Sequence, residues 1–456
     1  MNDPTPPAAQ APATPGFRRV LTFWDLVLYG IVLIMPIAPV PLFGVVQKLS
    51  IGHAVTTILL AMVAMMLTAL SYGRMAAVYP SAGSAYTYVG RALHPHLGFL
   101  AGWAMLLDYV LVPLICTIYG ALTVQRLVPW IPYPVLCAVF AGAMTLINVK
   151  GIRATVNANL VLMVVMTTVI LAFIALAVRL LFAREGWAGL LSTQPFYDTR
   201  TFQWKALGAG TAVAALTYGG FDGITTLSED VKNPRRAIPV ATVFVCLFTG
   251  IFGGLQIYLA QRVWPDFTTF ANLETAFMDV SRVVGGSLLF GAMAAILIVA
   301  NLGCGLSAQA GISRLLFGMG RDKMLPAGFF AHLDERRSTP LYNILLVGGI
   351  AMAGALILDY ERAAELINFG AFLAFMGVNA SVIRHFYFSA GRPGRRLLPD
   401  LVLPAAGLAF CFLIWLQLSV HAKIVGSIWF AAGLVWDAIQ TRGFRTTPAA
   451  IDFSDV

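Results

Sequence analysis

Two stretches decide the fold, Met35-Pro-Ile-Ala-Pro-Val-Pro41 and Tyr218-Gly-Gly-Phe-Asp-Gly223. Each interrupts a long apolar run, residues 25–48 and 205–228, where an unbroken helix would cross the middle of a bilayer. Proline has no N–H to give the preceding turn, and three prolines in six residues exceed what a simple kink requires. Freed backbone is tolerated at membrane depth only where it lines a cavity. The two interruptions therefore read as broken helices around one internal site, near the bilayer midplane and facing one another, rather than as ordinary kinks.

Ten further apolar runs surround them, at 54–78, 97–125, 131–149, 157–182, 237–260, 287–312, 340–358, 363–386, 400–419 and 424–440. The chain is 59% hydrophobic and 11% charged, so its solvent is mostly lipid. Crossing roughly 30 Å of hydrocarbon takes about 20 residues, which leaves room for about a dozen spans and almost nothing for a soluble domain. The expected fold class is an all-α membrane protein of about twelve transmembrane helices. With the broken spans first and sixth, it reads as a five-plus-five inverted repeat, 18–182 and 204–390, followed by two additional helices at 397–440. Residues 1–17, rich in Pro, Ala and Thr with neither a basic n-region nor an apolar core, read as a disordered tail, and 441–456 as a second tail. With the N-terminus inside, 20 of the 30 basic residues fall on the cytoplasmic side, which places both termini there and the protein in the inner membrane.

Other chemistries find little support. The five cysteines are scattered one per apolar stretch, giving neither a disulfide framework nor a zinc site. The formal charge of +9 is spread over loops, without the aromatic-studded stripe of a nucleic-acid binder. His94 and His96 flank a loop proline, and no HExxH, P-loop or GxSxG stands in a supporting context, so neither an enzyme nor a cofactor is implied.

Further motifs carry a resemblance. Tyr79-Pro-Ser-Ala-Gly-Ser-Ala-Tyr-Thr-Tyr88, Gly220-Phe-Asp-Gly-Ile-Thr-Thr-Leu-Ser-Glu-Asp230 and Ser313-Arg-Leu-Leu-Phe-Gly-Met-Gly-Arg-Asp322 closely resemble the amino acid, polyamine and organocation transporter superfamily. Leu107-Asp-Tyr109 with Pro113, and Leu366-Ile-Asn-Phe-Gly-Ala371, are similar to the third and tenth helices of bacterial putrescine importers. The resemblance runs from about residue 20 to 440. It implies the leucine-transporter type of fold, alternating access, and proton or substrate-exchange coupling. Several proton-coupled relatives carry a fifth-helix lysine where this chain has Val164.

The departures from these relatives are informative. Amino-acid members use a Gly-rich first break whose amides receive the substrate carboxylate. Pro36, Pro39 and Pro41 have no such N–H, whereas carbonyls freed at Met35, Pro36 and Ile37 would suit an ammonium. Putrescine importers tend to carry an acid where this chain has Pro41, which removes one anchor for a diamine.

The candidate substrate site is thus Met35, Pro36, Ile37, Asp108, Tyr109, Tyr218, Phe221, Asp222 and Asn301. Asp222 in the sixth-span break either holds an ammonium or caps the half-helix starting at Gly223. Asp108 in the third span faces the site or bonds a neighbouring helix. Tyr109, Tyr218, Phe221 and Trp103 offer faces to a cation or simply pack. Asn301 matches a putrescine-importer asparagine or makes a polar contact between helices. Glu229, at the helix end where a negative charge is disfavoured, expects a cation such as Arg74, giving a gate pair or a solvated loop charge. The reading is an importer of a small organic amine, putrescine-like or a monoamine, with proton coupling possible. Its alternative is an amino-acid permease of the same superfamily. A channel or embedded sensor would need a continuous polar pore or a signalling domain, and the sequence shows neither.

Overall fold

The computed structural model describes residues 21–79, 84–150, 156–227, 231–321, 324–334, 339–389 and 394–448, the side chains of 156–162 and 226 excepted. Its helices are α1 (Phe23–Ile34), α2 (Phe43–Leu49), α3 (Ala54–Val78), α4 (Ser84–Ala92), α5 (Pro95–Leu127), α6 (Tyr133–Lys150), α7 (Val156–Glu185) and α8 (Trp187–Leu190). They continue with α9 (Trp204–Ala214), α10 (Gly223–Thr226), α11 (Pro234–Val263), α12 (Ala276–Arg321), α13 (Ala327–Phe330), α14 (Leu341–Ile357), α15 (Tyr360–Val382), α16 (Leu403–Gln417) and α17 (Val420–Gln440). Among the described residues, extended pairing is confined to two isolated bridges, Leu21 to Val231 and Asp334 to Thr339.

Nine of these helices are long and apolar enough to cross a membrane, namely α3, α5, α6, α7, α11, α12, α15, α16 and α17. Helices α1 and α14 are shorter apolar pieces. The protein is therefore a multi-pass helical membrane protein. The run read from the sequence at 54–78 is α3 to the residue, and the run starting at 287 begins just past a kink in α12. There Gly285 and Gly286 leave helical geometry, Gly286 with φ +65° and ψ −158°, a conformation open to glycine alone. Helix α4, between the second and third spans, is a piece that the hydrophobic runs did not reveal.

Local chemistry fixes where the helices start. Thr22 and Asp25 form a reciprocal capping box that opens α1, Asp359 caps α15 through the Arg362 N–H at 2.8 Å, and prolines stand in the first turns of α5 and α11. Ser419 caps α17 through the Ala422 N–H (3.2 Å) while its hydroxyl donates to Glu365 of α15 at 2.5 Å.

Helix α5 is the central pillar, packed against α4, α6, α12, α14, α15 and α17. Small residues let the backbones approach, as expected where lipid gives helices no hydrophobic reason to associate. A Cβ on Gly370 of α15 would lie 2.3 Å from the Ala104 carbonyl oxygen of α5, and one on Gly73 of α3 would lie 2.4 Å from Pro239 Cα of α11. Helix α17 is fastened to α5 by a reciprocal pair. The Trp103 indole N–H donates to the Trp429 carbonyl, the Trp429 indole N–H donates to the Trp103 carbonyl, both at 2.9 Å, and the rings stack with centroids 5.0 Å apart. Trp103, one of the aromatics considered for a cation, is thereby committed to packing.

Candidate functional site

Helix α1 ends at Ile34 because Pro36 has no N–H for the Val32 carbonyl four residues back. Met35 takes φ +66°, sparsely populated for a residue with a side chain and found most often where surrounding structure enforces it. The chain then runs to α2 as tight turns. The N–H groups of Ala38, Val40 and Leu42 donate to the carbonyls of Met35, Ile37 and Pro39 at 3.1, 3.0 and 3.2 Å. Gln256 of α11, fully buried, donates its side-chain N–H to the Pro36 carbonyl at 3.0 Å. This corrects the expectation of carbonyls freed for an ammonium at Met35, Pro36 and Ile37, since all three have partners within the protein. Pro36 and Ile37 are buried, and Met35 and Pro36 line a small crevice against Phe248 and Phe252 of α11.

The second break is built in the same way. Helix α9 tightens into a 3-10 turn over Ala215–Tyr218, Gly220 takes φ +104°, and α10 resumes at Gly223. The N–H groups of Gly219, Phe221 and Gly223 donate to Leu216, Tyr218 and Gly220 at 3.0, 3.3 and 3.0 Å. The Tyr218 hydroxyl donates to the Ile58 carbonyl of α3 at 2.8 Å, and Asn368 of α15 donates to the Ala212 carbonyl at 2.6 Å. Tyr218, wholly buried, thus anchors the break with its hydroxyl. The end of α1 lies against this segment. A Cβ on Gly220 would stand 3.4 Å from Leu33 Cβ, and one on Gly30 would stand 2.5 Å from Ile224 Cδ1 of α10.

Asp222 is 6% exposed at this junction. Its carboxylate lies near the N–H groups of its own residue, Gly223 and Gly220, and makes no side-chain capping bond to α10. Asp108, Tyr109, Tyr29 and Tyr72 all stand within electrostatic reach of it. Two carboxylates from distant parts of the chain are thereby brought together, and each repels the other's charge. Tyr109, mid-way along α5, keeps 36% of its surface accessible.

Phe221, fully buried, belongs to an aromatic cluster that sequence reasoning missed. Tyr72 of α3 meets Phe221, Phe375 of α15 and Tyr88 of α4 edge to face, with centroids 5.5, 5.8 and 6.0 Å apart. Phe221 and Phe375 are 5.2 Å apart. The buried hydroxyls Tyr72 Oη and Thr217 Oγ1 have no hydrogen-bond partner among the described residues. A lone tyrosine in an apolar helix leaves no periodic signal, so nothing in the sequence marked Tyr72.

The remaining candidates sit apart. Asn301 donates to the Leu297 carbonyl of its own helix at 2.7 Å, not across to a neighbour. Arg74 donates to Asp400 Oδ1 at 2.5 Å and to the Pro399 carbonyl, and its guanidinium lies 4.0 Å over the Phe386 ring. It thereby ties the end of α3 to the lead-in of α16. Glu229 lies outside the described residues. Among those residues, no group of three or more His, Cys, Asp or Glu is placed to hold a metal ion.

Many apolar spans, two of them interrupted and meeting at the buried Asp222, define a multi-pass membrane protein. Comparison with known proteins gives the family: the chain belongs to the amino acid permeases, which it matches over residues 26–433. It is similar to the low-affinity putrescine importer PlaP of Escherichia coli, 34% identical over 432 residues, or 94% of this chain and 95% of that protein. It is also similar to the branched-chain amino acid permease BcaP of Lactococcus lactis, 26% identical over 453 residues (92% and 93%). A third relative is the methylthioribose transporter of Bacillus subtilis, 28% identical over 455 residues (93% and 94%).

Proposed function

We propose that this permease is a secondary active transporter importing a small organic amine, putrescine-like or a monoamine, by alternating access. The observation that carries the reading is the buried Asp222 where the two breaks meet, with the half-buried Asp108 within electrostatic reach of it. Carboxylates at membrane depth that repel one another are neutralised by a cation, and an ammonium or a proton supplies it. The proline-rich first break, short of amide donors, offers a carboxylate little. The putrescine-importing relative agrees with this chemistry.

In the same proposal, the two-part first and sixth spans and α14 join the nine long helices to make twelve. Residues 18–182 and 204–390 form the inverted repeats, and both termini are cytoplasmic in an inner membrane. Met35, Pro36, Ile37, Tyr109, Phe221 and Asn301 surround the substrate path, Tyr218 fixes the sixth-span break, and Glu229 with Arg74 works at the inner gate. The amino-acid permease reading is favoured by one observation, the absence of an acidic residue at Pro41, and by the branched-chain relative.

Uptake into proteoliposomes with an imposed potential separates the two. One net positive charge moving inward gains about 2.3 kcal/mol per 100 mV, an accumulation of about 50-fold. A monoamine and a diamine should be taken up in proportion to the interior-negative potential, the monoamine faster if the missing acid at Pro41 matters. Preferential, potential-independent uptake of a zwitterionic amino acid of similar size would sink the amine reading.

A further inference from the structure

We propose that the Tyr72 hydroxyl is a substrate-positioning group that makes the site select primary amines over N-alkylated ones. The inference rests on the amine reading above. Tyr72 is fully buried in α3, and its ring is wedged edge to face among Phe221, Phe375 and Tyr88, so the phenol oxygen is held at a fixed point. That oxygen has no hydrogen-bond partner among the described residues. Buried polar atoms are nearly always partnered, and an orphan at a polar junction marks a place that something else fills. Here the junction is Asp222, the residue after the Phe221 that Tyr72 touches, and Asp222 and Tyr109 both lie within electrostatic reach of the phenol.

The donor count fits a primary ammonium. Such a group carries three N–H donors, whereas the two carboxylates, Asp222 and Asp108, account for two. The phenol oxygen accepts the third. A protonated N,N-dimethyl amine has one donor left, is satisfied by a carboxylate alone, and gains nothing from Tyr72.

The test compares wild type and Tyr72→Phe in proteoliposomes, with a primary alkylamine and its N,N-dimethyl analogue as substrates. Wild type should favour the primary amine. The variant should raise KM for the primary amine about tenfold, the loss of one hydrogen bond to a charged group, and more than it lowers kcat. KM for the dimethyl amine should stay within about twofold, so the preference collapses. Thermal unfolding of the purified variant should be unchanged or improved, because phenylalanine keeps the ring and deletes the orphan. Equal KM changes for both amines, no change for either, or a marked loss of thermal stability would overturn the assignment. Wild-type protein that carries amines with an unaltered preference in the variant defeats Tyr72 alone, whereas wild-type protein that carries no amine defeats the transport reading and this inference with it.

Discussion

Asp222→Asn should cut amine uptake about 100-fold or more while the protein still reaches the membrane at wild-type levels. Removing one side of a buried charge interaction commonly costs a few kcal/mol, because the cation is then left in a poorly solvating site. The amide keeps the shape of the carboxylate and an oxygen that can still accept from the Gly220 and Gly223 amides, so the break should hold. Monodispersity in detergent reports on folding, and uptake with a fixed interior-negative potential reports on function. Undiminished uptake would reduce Asp222 to a backbone tie within the turn.

Gly73→Val should strongly impair folding. The added Cβ would meet Pro239 Cα at 2.4 Å and Pro239 Cβ at 2.7 Å, and neither atom can swing aside as the end of a flexible side chain could. Overpacking at a backbone crossing costs about 3 kcal/mol, and here it would pry α3 from α11, the helices that hold Tyr218 and Pro36 in place. Loss of the monodisperse species at a lower temperature is the expected result. Gly291 of α12 has open space where its Cβ would go, so Gly291→Ala should be neutral or mildly stabilising. If Gly73→Val proved as heat-stable as wild type, the crossing would have to be looser than its geometry indicates.

The two breaks were legible because proline and glycine leave local marks that no neighbour can erase. Helix bounds were legible for a similar reason, since a span ends where its apolar run ends, as at α3. Donor and acceptor pairing was not. Gln256 reaches the Pro36 carbonyl across 220 residues, and Arg74 reaches Asp400 across 326. No window along the chain reports such partners, so carbonyls expected to be free turned out to be occupied. Asp108 and Asp222 were legible as charges in an apolar setting, but their convergence is a product of how α5 and the second break pack. Tyr72 was invisible because its role depends on what surrounds its ring.

The double tryptophan bond between α5 and α17 bears on which parts of the molecule can travel. Each indole reads the other helix's backbone, so a slip by one helical turn would break both hydrogen bonds and unstack the rings together. Gly433 of α17, pressed against Trp103, blocks intermediate positions. Under the proposed alternating access, helix α17 would belong to the stationary frame with α5, although it is the last of the described helices. The same proposal puts the moving parts where the backbone is already interrupted, in α1, α2, α9 and α10, and a spin label on α17 should then keep its distance to one on α5 whether or not substrate is present.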